Sequence, residues 1–231
     1  MSKIMICHPF RTIALAAGLA VAGLSAGLPA IAAAQTLAAG QQPPASAPAT
    51  VGGPSASATV AKLDDGLLSV MKNADKLGYE GRFATLAPIV ASSFDVPTMT
   101  RIAVGSAWSS LSSEQQASLT DAFRRFITAT YAHRFDGYSG ERFDLKGERP
   151  SGTGVLVSTE LVRPSDQPVA LNYLVRQTDG QWKVVDIFLT GTISELATRR
   201  SEFSSVLARN GYEGLKNLLE AKAMQLASAA S

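Results

Sequence analysis

The chain has 231 residues, 46% of them hydrophobic, with 21 basic and 19 acidic side chains and a single cysteine, Cys7. So small an excess of charge, with no dense Lys/Arg block, argues against a nucleic-acid binder, which needs a basic face to neutralise phosphates. One cysteine cannot close an internal disulfide, so stability has to come from a packed core.

The N-terminus reads as an export signal. Lys3 and Arg11 precede an uncharged apolar run over residues 13–28, which Pro29 breaks. Ala30, Ile31, Ala32, Ala33 and Ala34 then offer two A-x-A cleavage frames, the later of which leaves Gln35 as the new N-terminus. The alternative, an uncleaved anchor, calls for about 20 strongly apolar residues, whereas this run is rich in Ala and Gly. Cys7 lies before the run, and a lipidation cysteine would follow it. Cleavage removes Lys3, Arg11 and Cys7, which brings the net charge of the remainder close to zero.

Residues 35–59 are almost entirely Ala, Pro, Gly, Ser, Thr and Gln, with only Leu37 and Val51 as sizeable aliphatics. Such a segment cannot offset its ordering entropy by burial and is expected to be a flexible tether. Residues 60–226 then form one domain, long enough to bury a substantial core.

The domain opens with helical spacing in Leu63, Leu67, Leu68, Met71 and Leu77, followed by a second helical stretch over 79–92. Pro97 begins a short helix that Gly105 ends. The clearest helix follows, capped by Ser112 or Ser113 with Gln115 and Gln116 placed for a capping box. Its apolar positions are Leu119, Phe123, Phe126, Ile127, Thr130 and Tyr131. Beyond Gly137 and Gly140 the period changes to strand alternation. Phe143 and Leu145 mark a short first strand bounded by Pro150 and Gly152. Val155, Val157, Thr159 and Leu161 alternate in the second, and Val169, Leu171, Tyr173 and Val175 in the third, with a turn at Pro164 and Asp166. In the fourth, strict alternation places Trp182, Val184 and Phe188 on one face and Val185, Ile187 and Leu189 on the other, as in a strand buried on both sides. Past Gly191 the helical period returns in two stretches, one around Phe203, Val206 and Leu207 and one around Leu215, Leu218, Leu219 and Met224. Helices, then a four-stranded antiparallel meander, then helices make an α+β layout.

Candidate chemistry is sparse. Beyond the signal there is one histidine, His133, and no cysteine, which excludes zinc sites built on those ligands and thiol nucleophiles. The stretch Gly137, Tyr138, Ser139, Gly140 falls one residue short of a nucleophile elbow and reads as a loop. No dinucleotide motif or P-loop occurs, and no cofactor or metal is signalled. Asp186 stands out as a carboxylate within an apolar strand. It is either a satisfied structural group or a proton-abstracting base with a raised pKa, and an enzyme reading would use Asp186, Tyr131 or His133 as acid–base groups.

Three blocks in order carry a resemblance. FDVPTMTRIAVGSAWSSLSSEQQ, FRRFITATYAHRFDGYSG and GQWKVVDIFLTGTISELATRRSEF resemble the MlaC or toluene-tolerance family of periplasmic lipid-binding proteins, including its hopanoid-associated HpnM branch. The first has FD, then a helix ending in Gly followed by Trp, then a Ser-capped helix. The second has a Thr-Tyr pair and a Tyr-x-Gly turn. The third has Trp182, Asp186 four residues on, a Gly, and an Arg-Ser-Glu-Phe helix start. The likeness spans residues 63–219. It implies helical groups packed on a twisted antiparallel sheet around an apolar pocket that holds acyl chains, with the headgroup near the surface. It also implies partners: a membrane lipid (phospholipid or hopanoid), an inner-membrane ABC transporter with an MCE-domain subunit, and an outer-membrane lipoprotein complex. Phe123, Ile127, Tyr131, Val155, Val157, Leu171, Tyr173, Val185 and Ile187 are the expected pocket lining, although pocket and core use the same residue types. A small-molecule enzyme and a solid-core periplasmic adaptor are the competing classes: the first needs convergent polar groups in its cavity, the second no cavity.

The reading of the N-terminus makes the first prediction. N-terminal sequencing of protein recovered from the periplasm should begin at or near Gln35. Recovery of the intact Met1 form from membranes instead would show that residues 13–28 anchor the chain.

Overall fold

The computed structural model describes residues 55–230, so the expected signal and nearly all of the 35–59 tether lie outside the described residues. Ser55 is already an N-cap, its side chain accepting the Ala58 N–H at 3.1 Å. Helix α1 (Ala56–Lys72) therefore starts four residues before the expected domain boundary at Val60. The composition of 55–59 is poor in apolar side chains, but a serine cap and a following apolar stripe are enough to recruit it into the helix.

Helix α2 (Ala74–Ser93) is broken at Gly78, and α3 (Val96–Val104) starts from Asp95 with Pro97 in its first turn. A 3₁₀ segment (Gly105–Ser110) leads to α4 (Ser113–Arg134), which has the expected capping box: the Gln115 N–H donates to Ser112 Oγ, and the Ser112 N–H to Gln115 Oε1. The strands are β1 (Arg142–Ser151), β2 (Gly154–Val162), β3 (Val169–Thr178), β4 (Gln181–Leu189) and the short β5 (Ile193–Ser194). Helix α5 (Glu195–Ser228) ends the fold, divided in two by Gly211 at φ 64°, ψ −165°, a conformation that favours glycine and separates the two apolar stretches read from the sequence.

All five strands lie in one antiparallel sheet in sequence order, so every connection is a hairpin. The result is the expected α+β layout, with a fifth strand added to the meander. Helix α1 packs along β1 to β4, while α2, α3 and α5 also reach β4. Polar ties fix this seating. The Ser57 hydroxyl donates to the Glu148 carboxylate, the Thr59 hydroxyl to the Trp182 carbonyl at 3.1 Å, and the Asp95 N–H to the Val184 carbonyl at 2.9 Å. Buried Arg82 binds the Ala132 carbonyl at 2.8 Å and that of Ala74 at 3.3 Å, so one guanidinium satisfies acceptors of two helices, one of them in the last turn of α4.

One correction concerns β4. Its pairing runs Leu174 to Asp186 and then Val175 to Val184, so Val185 is an extra residue in a β-bulge. The bulge reverses the parity of the strand. Trp182 and Val184 consequently share a face with Ile187 and Leu189, and all four pack into the one main core, while Asp186 and Phe188 face the other way. Strict alternation had separated them.

Candidate lipid site

Directly paired residues of a sheet project to the same side, so the register maps the face that meets the helices. One row runs Val155, Val175, Val184, and the next Val157, Tyr173, Ile187. A third crosses all five strands: Leu145, Thr159, Leu171, Leu189, Ile193. The middle of this face is sealed. Val157, Val175 and Val184 have no accessible surface, Tyr173 and Thr159 keep 1%, and Leu171 keeps 7%. Toward the edges the cover fails. Leu145 and Ile193, the two ends of the third row, are 54% and 56% exposed, and Ile187, Leu189, Phe143 and Val169 are half-buried.

The nine expected lining residues divide along these lines. Phe123, Ile127, Val157, Leu171 and Tyr173 lie in the main buried cluster, with Phe123 meeting Phe203 of α5 edge-on at 5.6 Å between ring centres. Tyr131, Val155 and Ile187 pack against that cluster but keep accessible surface. Val185, the bulge residue, is buried outside it. Eight of the nine are thus brought into one apolar assembly.

Tyr131 joins the helix layer to this face. Its ring lies 5.8 Å from that of Phe94 and stacks on Phe135 at 5.7 Å, and Phe135 continues to Phe143 of β1 at 6.4 Å. Burial drives the Tyr131 hydroxyl well above the usual phenol range, an effect that Arg134 opposes and that the carboxylates of Asp64 and Glu195 reinforce. Tyr173 is raised for the same main reason, with contributions from Tyr131 and Asp64. Neither phenol is set up to act as a base near neutrality.

Asp64 is the residue that sequence reasoning missed. It is 6% exposed, and its Oδ1 makes no hydrogen bond within the described residues. Burial, and secondarily the neighbouring Asp65, pushes its pKa up to about 8. A signal was present: Val60, Asp64, Leu67 and Met71 fall at i, i+4, i+7 and i+11, so a carboxylate occupies the apolar stripe of α1.

The three acid–base candidates of the enzyme reading lie apart. Asp186 projects from the face opposite Tyr173 and is engaged throughout: Oδ1 accepts the Ile187 and Leu196 N–H groups at 2.8 and 3.2 Å, and Oδ2 accepts the Ser194 hydroxyl at 2.6 Å. It ties β4 to the start of α5. Tyr131 and His133 are two apart on α4 and so cannot share a helix face. The Nδ1 of His133 is buried and makes no hydrogen bond among the described residues. Among the described residues no group of His, Cys, Asp and Glu could hold a metal ion, and no helix is long and apolar enough to cross a membrane.

The sequence profile of the MlaC protein family matches residues 61–221, which is most of the chain and nearly all of the folded region. The chain belongs to the MlaC family. Among solved structures, this MlaC-family protein is similar to the phospholipid-binding protein of Ralstonia solanacearum, whose structure was determined in complex with a phospholipid. The two share 29% identity and superpose with a TM-score of 0.66, over 74% of this chain and 98% of that one. No curated protein matches.

The arrangement around Asp186 predicts a structural role. Asp186→Ala leaves two N–H groups and a hydroxyl without their acceptor, and urea unfolding should show a loss of about 1–3 kcal/mol. Lipid bound per folded molecule should not change. Unchanged stability with abolished cellular function would instead point to chemistry at this carboxylate.

Proposed function

We propose that this MlaC-family protein is a non-enzymatic periplasmic carrier that takes the acyl chains of a phospholipid between its helices and its sheet. The observation that carries the reading is the apolar row from Leu145 to Ile193, sealed at its centre and exposed at both ends. Apolar side chains on the core-facing side of a sheet are ordinarily covered, and uncovered ends of such a row mark a place for an apolar ligand. Each methylene withdrawn from water into such a site contributes about 0.8 kcal/mol, so two acyl chains can supply strong binding with few polar contacts. A neighbour of the same fold was determined with phospholipid bound, which supports that class of cargo. Tyr131 fits as a wall: it packs against the buried cluster and keeps accessible surface.

In this reading the carrier moves lipid between the inner and outer membranes. Its membrane partners are an inner-membrane ABC transporter with an MCE-domain subunit and an outer-membrane lipoprotein complex, as the family membership supports. Oδ1 and Oδ2 of Asp186 already serve backbone and serine donors, which supports transport without catalysis.

Two tryptophan substitutions test where the chains go. Ile187→Trp places bulk on a half-buried position of the inner face, so co-purified lipid should fall while thermal unfolding stays near that of the wild type. Val157→Trp overpacks a site with no accessible surface and should lower stability by about 1–3 kcal/mol. Full lipid occupancy in Ile187→Trp together with a lowered Tm would place Ile187 in solid core and take it out of the proposed lining.

A further inference from the structure

The carrier reading leaves Asp64 unexplained. Its carboxyl sits on the buried stripe of α1, with Leu63 and Leu67 fully buried around it, in a layer that covers the sheet. Electrostatic influence links it to Tyr131 of α4 and Tyr173 of β3, and links those two phenols to each other. The packing supports this: α1, which carries Asp64, lies on β3, which carries Tyr173, and the Tyr131 ring meets Phe94, whose backbone bridges to Val184 on the same face of the sheet. The charged groups acting on this cluster are Asp65 on α1, Arg134 on α4 and Glu195 on α5. No salt bridge of Asp64 occurs among the described residues, and its Oδ1 has no donor.

A buried carboxyl without a cationic partner escapes the desolvation cost of its charge by keeping its proton. It then offers one O–H donor and a carbonyl acceptor, and each phenol offers a further O–H. A cluster of neutral donors suits a neutral acceptor. It does not suit a phosphate, whose recognition calls for Arg or Lys in direct contact. Within a diacyl lipid the neutral acceptors are the ester carbonyls, which lie where the chains leave the glycerol.

We infer that Asp64, with Tyr131 and Tyr173, forms a polar anchor inside the lipid site that hydrogen-bonds an acyl ester of the bound phospholipid. The inference rests on the carrier reading and adds the chemical feature by which the site tells an ester-linked chain from a plain hydrocarbon. The raised pKa of Asp64, about 8, keeps the donor proton in place through neutral pH and removes it in alkaline solution. Lipid affinity should therefore be full below about pH 7 and decline as pH rises past 8. The sign for folding is the same. The unfolded carboxyl loses its proton near its ordinary value of 3.8, the folded one near 8, so unfolding releases a proton between those values and the lipid-free protein loses stability as pH rises across that window.

The test uses delipidated mature protein incubated with vesicles of dioleoyl phosphatidylglycerol or of its dialkyl ether analogue, which has the same headgroup and chain length but no ester carbonyl. The wild type should take up the diester lipid about three- to tenfold more tightly at pH 6.5, the range expected of one hydrogen bond. That preference should shrink at pH 9.5. Asp64→Leu should bind both lipids at the level of the ether lipid and lose the pH dependence, while Asp64→Asn, which keeps an N–H donor, should retain the preference at both pH values. If Asp64→Leu prefers the diester as strongly as the wild type does, Asp64 is a structural carboxyl and the anchor is overturned while the carrier reading stands. If the wild type binds neither lipid, the anchor falls together with the carrier reading.

Discussion

A five-stranded antiparallel sheet with one apolar face must have that face covered, and the way this one is covered organises the molecule. Along its middle the helices close over Val157, Thr159, Tyr173 and Val175 almost completely. At the margins they leave Leu145 and Ile193, which end the row crossing all five strands, more than half exposed. A core incomplete at its edges leaves apolar surface in water at roughly 25 cal/mol for each Å², a standing drive toward any apolar molecule that can complete it. The bulge at Val185 is part of the same design. Without the extra residue, Trp182 and Val184 could not share the inner face with Ile187 and Leu189, and one half of β4 would turn its apolar side chains away from the helices.

The titratable groups on and around the sheet are consistent with binding rather than reaction. Asp186, the carboxylate most open to suspicion from sequence, spends its oxygens on holding the β4 to α5 junction. Tyr131 and Tyr173 are pushed away from the range in which a phenol could take a proton near neutrality. Asp64 is the exception, because nothing among the described residues satisfies its Oδ1. A group of that kind costs stability in the empty protein, and a ligand acceptor offsets that cost.

Much of this was legible in the residues. The capping box at Ser112, the two apolar stretches of α5 and the alternation in β2 and β3 are local signals, and local chemistry decides them. What failed did so for identifiable reasons. A bulge inserts one residue into a period of two, and no pattern within β4 alone reveals it, because Val184 and Val185 are the same residue type. The first turn of α1 is hard to read because residues 55–59 carry little apolar side chain, and one serine among several does not mark itself as a cap. Asp64 was passed over because a helix stripe is recognised by its leucines, and one carboxylate among them reads as a solvated position until burial is known. The division of the nine lining candidates between sealed core and accessible wall depends on how far the helices extend across the sheet, which is a tertiary fact.

The central claim is that a lipid completes the apolar face that the helices leave open. Its most direct test is organic extraction and mass spectrometry of the protein purified from its native periplasm without detergent, with lipid quantified against protein. The account predicts diacyl phospholipid in near-stoichiometric amount, and a drop in Tm when it is removed. Protein that is free of lipid as isolated, takes none up from vesicles and unfolds at the same temperature throughout would contradict it, and would make the exposed row from Leu145 to Ile193 a surface for something else.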